Sequence, residues 1–217
     1  MGPVTSAGVL LTGGRSRRMG RDKARIEWTA DRSGPTAAGQ TSTGPTSTGR
    51  TSTSQSWAER AADLLSVACP VVLEVGPGYT ALPPVRDAHP GEGPLAAVAA
   101  GWAELTGRGW SGPVLVVATD LPRLTLGLIE WLAHHPAERS VVPLADGRLQ
   151  PLCARYQPDD LDLAARLVAQ GARSMIALVD ACDPIRPDER DWLVPAGDPA
   201  VFRDADTPAD LERLEQT

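Results

Sequence analysis

Apolar residues fall along this chain in short blocks separated by polar turns, and the spacing within the blocks changes from one to the next. Ala7–Leu11 is an apolar run that stops at Thr12-Gly13-Gly14, the pattern of a buried strand entering a turn. Ser56-Trp57-Ala58-Glu59 has the spacing of a capping box and opens a helix to Val67. Pro70–Val75 reads as a strand. Gly93-Pro94 starts a helix through Glu104, with proline in the first turn, where its missing N–H leaves no bond unmade. Val114–Ala118 is continuously aliphatic, as in a central strand buried on both faces. Thr125–His134 follows as a helix, then Ser140–Leu144 and Gln150–Tyr156 as strands. Asp159–Gln170 is a helix stopped by Gly171, and Ser174–Ala181 is another. Val201–Ala205 reads as a short strand, and Asp206-Thr207-Pro208 caps a last helix to Glu215. Strands alternating with helices predict a three-layer α/β/α fold.

One stretch breaks the pattern. Residues 31–55 carry near-repeats of Thr, Ser and Gly with almost no apolar side chain. Such a segment buries too little surface to offset the entropy of ordering, so it reads as a flexible surface insertion within a single domain spanning 1–217. The net charge of −6 argues against a broad nucleic-acid-binding face. It leaves room for a small anion held by a local cluster. Cys69, Cys153 and Cys182 are far apart, fit no zinc or redox spacing, and suit a reducing cytoplasm. Met1–Ala7 lacks the basic segment of a signal peptide, and no run approaches the ~20 apolar residues of a membrane span, so the expected location is cytoplasmic.

Four places can carry chemistry. The first runs from Leu11 to Lys23. Glycines directly after a strand let backbone N–H groups approach an anion, and Arg18 and Lys23 can neutralise a polyphosphate. Lys23 is the only lysine among 21 basic residues, and a compact ammonium is not interchangeable with a guanidinium at a crowded phosphate. The segment is neither a Walker A loop nor a dinucleotide turn. By glycine and charge alone it is equally well a basic surface loop. The second place is Asp120, at the carboxyl end of the Val114–Ala118 strand, where open α/β sheets bind ligands and where a carboxylate suits Mg²⁺. The bland alternative is a loop or capping acid. The third is Asp204-Ala205-Asp206, a source of a second metal ligand or simply a helix cap. The fourth is Gly91–Ala96, where Gly93 and Pro94 open a helix, either for close approach of a ligand or as a plain connection. No Ser/His/Asp or Cys/His constellation accompanies them.

Together these places resemble the MobA-like nucleotidyltransferases, and most of all the molybdenum cofactor guanylyltransferases. The family pattern Leu-x-Gly-Gly-x-x-x-Arg-Met-Gly-x-Asp-Lys is matched at Leu11, Gly13, Gly14, Arg18, Met19, Gly20, Asp22 and Lys23. Gly93–Ala96, Asp120-Leu121-Pro122, Gln150-Pro151-Leu152 and Asp204–Leu211 resemble the family's later motifs, in family order. The resemblance implies a Rossmann-like nucleotide-diphospho-sugar transferase fold with a mostly parallel mixed sheet. It implies that Leu11, Thr12, Gly13 and Gly14 meet the nucleotide together with Gly93 and Pro94, that Lys23 holds its phosphates, and that Asp87 helps bind guanine. It further implies that Arg18, Lys23 and Asp120 serve catalysis, with Mg²⁺ on Asp120 and Asp206. The implied partners are GTP and molybdopterin or its molybdenum complex, then molybdoenzymes or cofactor-insertion proteins. Leu73-Glu74-Val75-Gly76 stands where the family carries an asparagine, and aspartates stand in the closing motif where asparagines are frequent. A cytidylyltransferase on molybdopterin, a sugar-phosphate nucleotidyltransferase and a non-catalytic nucleotide-binding protein are the rival readings.

Overall fold

The computed structural model describes residues 5–13, 23–28, 55–86 and 92–205. Within them, strands β1 (Ala7–Leu11), β4 (Val72–Val75), β5 (Pro84–Val85), β6 (Val114–Ala118) and β9 (Cys153–Tyr156) form a five-stranded sheet in the order β5-β4-β1-β6-β9. β1 runs parallel to both β4 and β6, β4 runs parallel to β5, and β9 closes the edge antiparallel to β6. The chain moves to one side of β1 through β4 and to the other through β6. Their carboxyl ends therefore meet at a topological switch point, the place where an open α/β sheet leaves a crevice.

Side chains alternate across the sheet, and this alternation builds the layers. Leu10, Val72, Leu115, Val117 and Cys153 face α1 (Trp57–Ala68), α3 (Leu126–Ala133) and α6 (Glu189–Ala196). Val9, Leu73, Val75, Val116 and Tyr156 face α2 (Pro94–Gly107), α4 (Pro158–Ala169) and α5 (Met175–Cys182). Two aliphatic cores thus lie on either side of one sheet, giving the three layers expected. Alanine-rich helices approach closely, and Trp102 ties α2 to α4 by donating to Asp162 at 2.7 Å.

The predicted capping box is present. Ser56 accepts from the Glu59 backbone at 3.2 Å, and the Glu59 carboxylate accepts from the Ser56 backbone at 2.8 Å. Just before it, β3 (Gln55–Ser56) pairs antiparallel with β2 (Glu27–Trp28). Most of the 31–55 segment lies outside the described residues. The described segments on either side of it, Glu27–Trp28 and Gln55–Ser56, are paired at this ladder.

Three expectations change. Ser140–Leu144 contains Pro143, which cannot donate to a ladder, and only Val141 bridges, to Arg155 and Ile185. Leu144 instead begins a hairpin, β7 (Leu144–Ala145) with β8 (Arg148–Leu149), turned at Asp146-Gly147 with both residues at positive φ. Val201–Ala205 is not a strand. The Val201 N–H donates to the Asp198 carbonyl at 3.2 Å and the Arg203 N–H to that of Ala200 at 2.9 Å, so local turns consume the donors a ladder needs. Helix α6 is the unforeseen element. Asp188 caps it with Asp191 as the reciprocal partner, Trp192 fills the core, and Pro195 near its end obscures the helical pattern in the sequence. The helix expected from Asp206 to Glu215 lies outside the described residues.

Candidate active site

The crevice is built from four chain segments that reach the carboxyl edge of the sheet. β1 delivers Leu11, Thr12 and Gly13. The Thr12 N–H donates to the Val75 carbonyl at 3.1 Å, so the ladder holds the chain up to the turn, and exposed Gly13 stands at the edge. Gly14 and Arg18 lie outside the described residues. Lys23 opens a 3-10 turn, Lys23–Arg25, that leads into β2. β6 delivers Asp120, half-buried two residues beyond the strand.

The closing segment returns to the same strand end. The Ala205 N–H donates to the Asp120 carbonyl at 3.1 Å, which places Asp204-Ala205 beside Asp120 although 84 positions separate Asp120 from Asp204 in the sequence. Arg123, bonded to Asp198 at 2.8 Å, and Thr125, donating to the Ala196 carbonyl at 2.8 Å, hold the approach to this segment. Asp206 follows immediately but lies outside the described residues, as does Asp87. Among the described residues no group of three or more His, Cys, Asp or Glu side chains forms a metal cluster. One carboxylate at the mouth of the crevice suits Mg²⁺, which keeps waters and takes phosphate oxygens besides one or two protein carboxylates.

Gly93 is the N-cap of α2, with φ 96° and Pro94 next in the first turn. A Cβ at Gly93 would stand 2.6 Å from the Arg173 carbonyl oxygen, and that oxygen accepts from the Leu95 N–H at 3.3 Å. The close backbone approach that Gly93 permits is thus made by the protein's own Arg173-Ser174 connection. A Glu92–Arg173 ion pair at 3.4 Å lies alongside.

The residue that sequence reasoning missed is Glu74. It lies on β4, next to the central strand β1, is 0% exposed, and accepts five hydrogen bonds. Oε1 accepts from the Thr12 hydroxyl at 2.5 Å and from the N–H groups of Gly78 and Tyr79 at 2.9 and 2.7 Å. Oε2 accepts from the Thr80 N–H at 2.9 Å and the Thr80 hydroxyl at 2.7 Å. Burial pushes its pKa up, but the donors from Thr12, Tyr79 and Thr80 outweigh burial and hold it below the ordinary value. The available signal was the misfit itself: a lone acid in an aliphatic strand must have partners. A depressed folded-state pKa means that the ionised carboxylate stabilises the fold above the unfolded pKa, and that this stabilisation is lost as pH falls through the folded value. Urea midpoints are therefore expected to fall more steeply below about pH 4.5 in the wild type than in Glu74→Gln, which has no proton to take up there.

Gly76 completes this corner. Its φ is 155°, and a Cβ would stand 2.2 Å from the Thr12 hydroxyl oxygen and 2.8 Å from the Gly13 nitrogen. A side chain at Gly76 therefore has no room here. A cleft of about 380 Å³ lined by Trp131, His135, Ile185, Arg186, Pro187 and Asp191 lies beyond the far end of α3 from Asp120. It shares no residue with the crevice.

A mostly parallel α/β sheet with a glycine at the end of its first strand and an acid after the neighbouring strand β6 has the layout of a nucleotide-handling protein. The comparison with known proteins makes this particular: residues 8–185 match the MobA-like NTP transferase domain, and the chain belongs to that family. The probable molybdenum cofactor guanylyltransferase of Mycobacterium tuberculosis H37Rv is 37% identical over 197 residues, covering 84% of this chain and 83% of that protein. The protein of the same name from Mycobacterium avium strain 104 is 34% identical over 221 residues, 97% of this chain and 95% of its own length. Among solved structures, molybdopterin-guanine dinucleotide biosynthesis protein A from Archaeoglobus fulgidus superposes with a TM-score of 0.71 at 19% identity, covering 97% of both chains. That likeness establishes the Rossmann-like NTP transferase fold. No helix among the described residues is long and apolar enough to cross a membrane.

Proposed function

We propose that the chain is a single-domain, cytoplasmic guanylyltransferase of molybdenum cofactor synthesis. It transfers GMP from GTP to the terminal phosphate of molybdopterin, free or molybdenum-bound. The observation that carries this reading is the return of Asp204-Ala205 to Asp120 at the carboxyl end of β6, beside the Leu11–Gly13 turn of β1. Family membership and the relatives named for this activity supply the substrates.

In the reaction, an oxygen of the acceptor phosphate attacks the α-phosphorus of GTP, the bond to the β-phosphate oxygen breaks, and pyrophosphate departs. The second pKa of a phosphate monoester is about 6, so the nucleophile is already largely ionised at neutral pH and needs no protein base. Catalysis then rests on positioning and on neutralising charge. The backbone of Leu11, Thr12, Gly13 and Gly14 receives the nucleotide with Gly93 and Pro94, Arg18 and Lys23 neutralise the polyphosphate, and Asp87 reads the base. Asp120 and Asp206 would hold Mg²⁺, which supplies charge neutralisation at the reacting phosphates. Arg173 and Ser174 face the acceptor side, and the product passes to molybdoenzymes or cofactor-insertion proteins.

The test is pyrophosphate release with GTP, Mg²⁺ and molybdopterin, each omitted in turn. Release is expected only with all three present. Activity with CTP and none with GTP would replace guanine by cytosine in this reading, and release driven by a sugar phosphate instead of molybdopterin would replace the acceptor.

A further inference from the structure

Glu74 stands beneath the crevice rather than in it, and its partners come from two separate loops. Thr12 belongs to the turn after β1. Gly78, Tyr79 and Thr80 belong to the connection between β4 and β5, whose fold is further held by the Leu82 N–H donating to the Thr80 hydroxyl at 3.1 Å. The Tyr79 ring carries the Arg25 guanidinium over its face at 5.9 Å from the ring centre. Thr12 stands just before the basic segment of the first motif, and Arg25 stands two residues after Lys23. Both flanks of that motif are thus referenced to one buried carboxylate, Thr12 directly and Arg25 through Tyr79. Gly76 lets the two loops come this close, since any side chain there would occupy the Thr12 hydroxyl position.

We infer that Glu74 is the positioning residue of the nucleotide site: its carboxylate fixes the Thr12 turn and the Gly78–Thr80 loop as one unit and thereby sets the spacing of the two flanks of the phosphate-binding motif. The inference rests on the nucleotidyltransferase reading of the crevice and adds to it a residue that touches no substrate. Every one of the five groups facing Glu74 is a donor. A glutamine of the same shape turns an NH2 group toward either the Gly78 and Tyr79 N–H groups or the Thr80 N–H, so at least one backbone donor loses its acceptor and faces another donor while the volume is unchanged; the threonine hydroxyls can rotate to accept. The loops then part, and the cost falls on nucleotide binding more than on the chemical step at Asp120, on the other side of β1.

The test uses the full chain with Mg²⁺ and each of the four nucleoside triphosphates, reading equilibrium binding and steady-state pyrophosphate release. Glu74→Gln is expected to weaken triphosphate binding and raise its KM by about tenfold or more, with kcat changed less than about threefold. Thr12→Val, which removes one donor in a similar shape, is expected to produce a smaller shift in the same direction, and Thr12→Ser, which keeps the hydroxyl, to recover most of it. Thr12→Val carries the test if Glu74→Gln does not fold. Folded variants that bind the triphosphate as the wild type does would overturn the inference, as would equal losses in kcat and affinity. A wild type that binds CTP and not GTP would remove guanine specificity, with the Glu74 comparison then made with CTP. A wild type that binds no triphosphate would sink the reading of the crevice and the inference with it.

Discussion

Replacing Gly76 with alanine is expected to lower the melting temperature by about 8 °C and to abolish measurable nucleotide binding at concentrations that saturate the wild type. Two independent costs combine. The backbone at φ 155° is one that L side chains rarely adopt, and holding a non-glycine residue in such a region costs about 1–3 kcal/mol. The new methyl group would also stand 2.2 Å from the Thr12 hydroxyl oxygen and 2.8 Å from the Gly13 nitrogen. The hydroxyl can rotate away only by releasing Glu74, and the nitrogen is backbone. Overpacking adds about 1–3 kcal/mol, and about 3 kcal/mol in a domain of this size corresponds to a shift of roughly 8 °C. On the proposed function the displaced atoms belong to the turn that receives the nucleotide, so the binding loss should exceed what the stability loss alone would cause. Thermal scans with binding measured well below the variant's transition check both halves. An alanine variant with wild-type stability and affinity would show that the two loops do not meet as described.

Asp120→Asn is expected to leave the fold intact and remove about 10²–10³-fold of kcat, the scale typical of losing one well-placed electrostatic group at a phosphate. The asparagine keeps the size of the side chain and leaves the backbone carbonyl that holds Ala205. It removes the negative charge that would hold Mg²⁺. Asp120 is half-buried rather than sealed in the core, so the melting temperature should stay within about 3 °C of the wild type. Retention of more than about half of the activity in Asp120→Asn would exclude a metal role for this residue and leave it as a loop acid.

Much of this fold could be read from the chain because its signals are local. The Ser56–Glu59 capping box, the aliphatic run Val114–Ala118 and Pro94 at a helix start each declare an element within a few residues. Where the reading went astray, backbone chemistry was at odds with side-chain hydrophobicity. Val201 and Phe202 are apolar and buried, yet their segment turns on Asp198 instead of extending. In α6 the interior proline hid a helix whose cap and buried Trp192 are otherwise regular. The candidate site divides in the same way. Leu11, Gly13, Gly14, Arg18 and Lys23 stand out as candidates because one motif places them at fixed short spacings, and Asp120 because it follows an aliphatic strand; the family match spans residues 8–185.

From the chain alone came the alternation of strands and helices and the spacing of glycines and basic residues after the first strand that marks the family. These depend on covalent neighbours and on periodicity, which are present in any conformation of the chain. Only the tertiary structure decided which acid stands beside which. It brought Ala205 to Asp120, and it set the Arg173 carbonyl against the Cα of Gly93. It also turned Glu74 from an anomaly in an apolar strand into the shared anchor of two loops. The physical reason is that a buried carboxylate is tolerated only where several donors converge on it, and those donors come from residues that the sheet, not the sequence, makes neighbours.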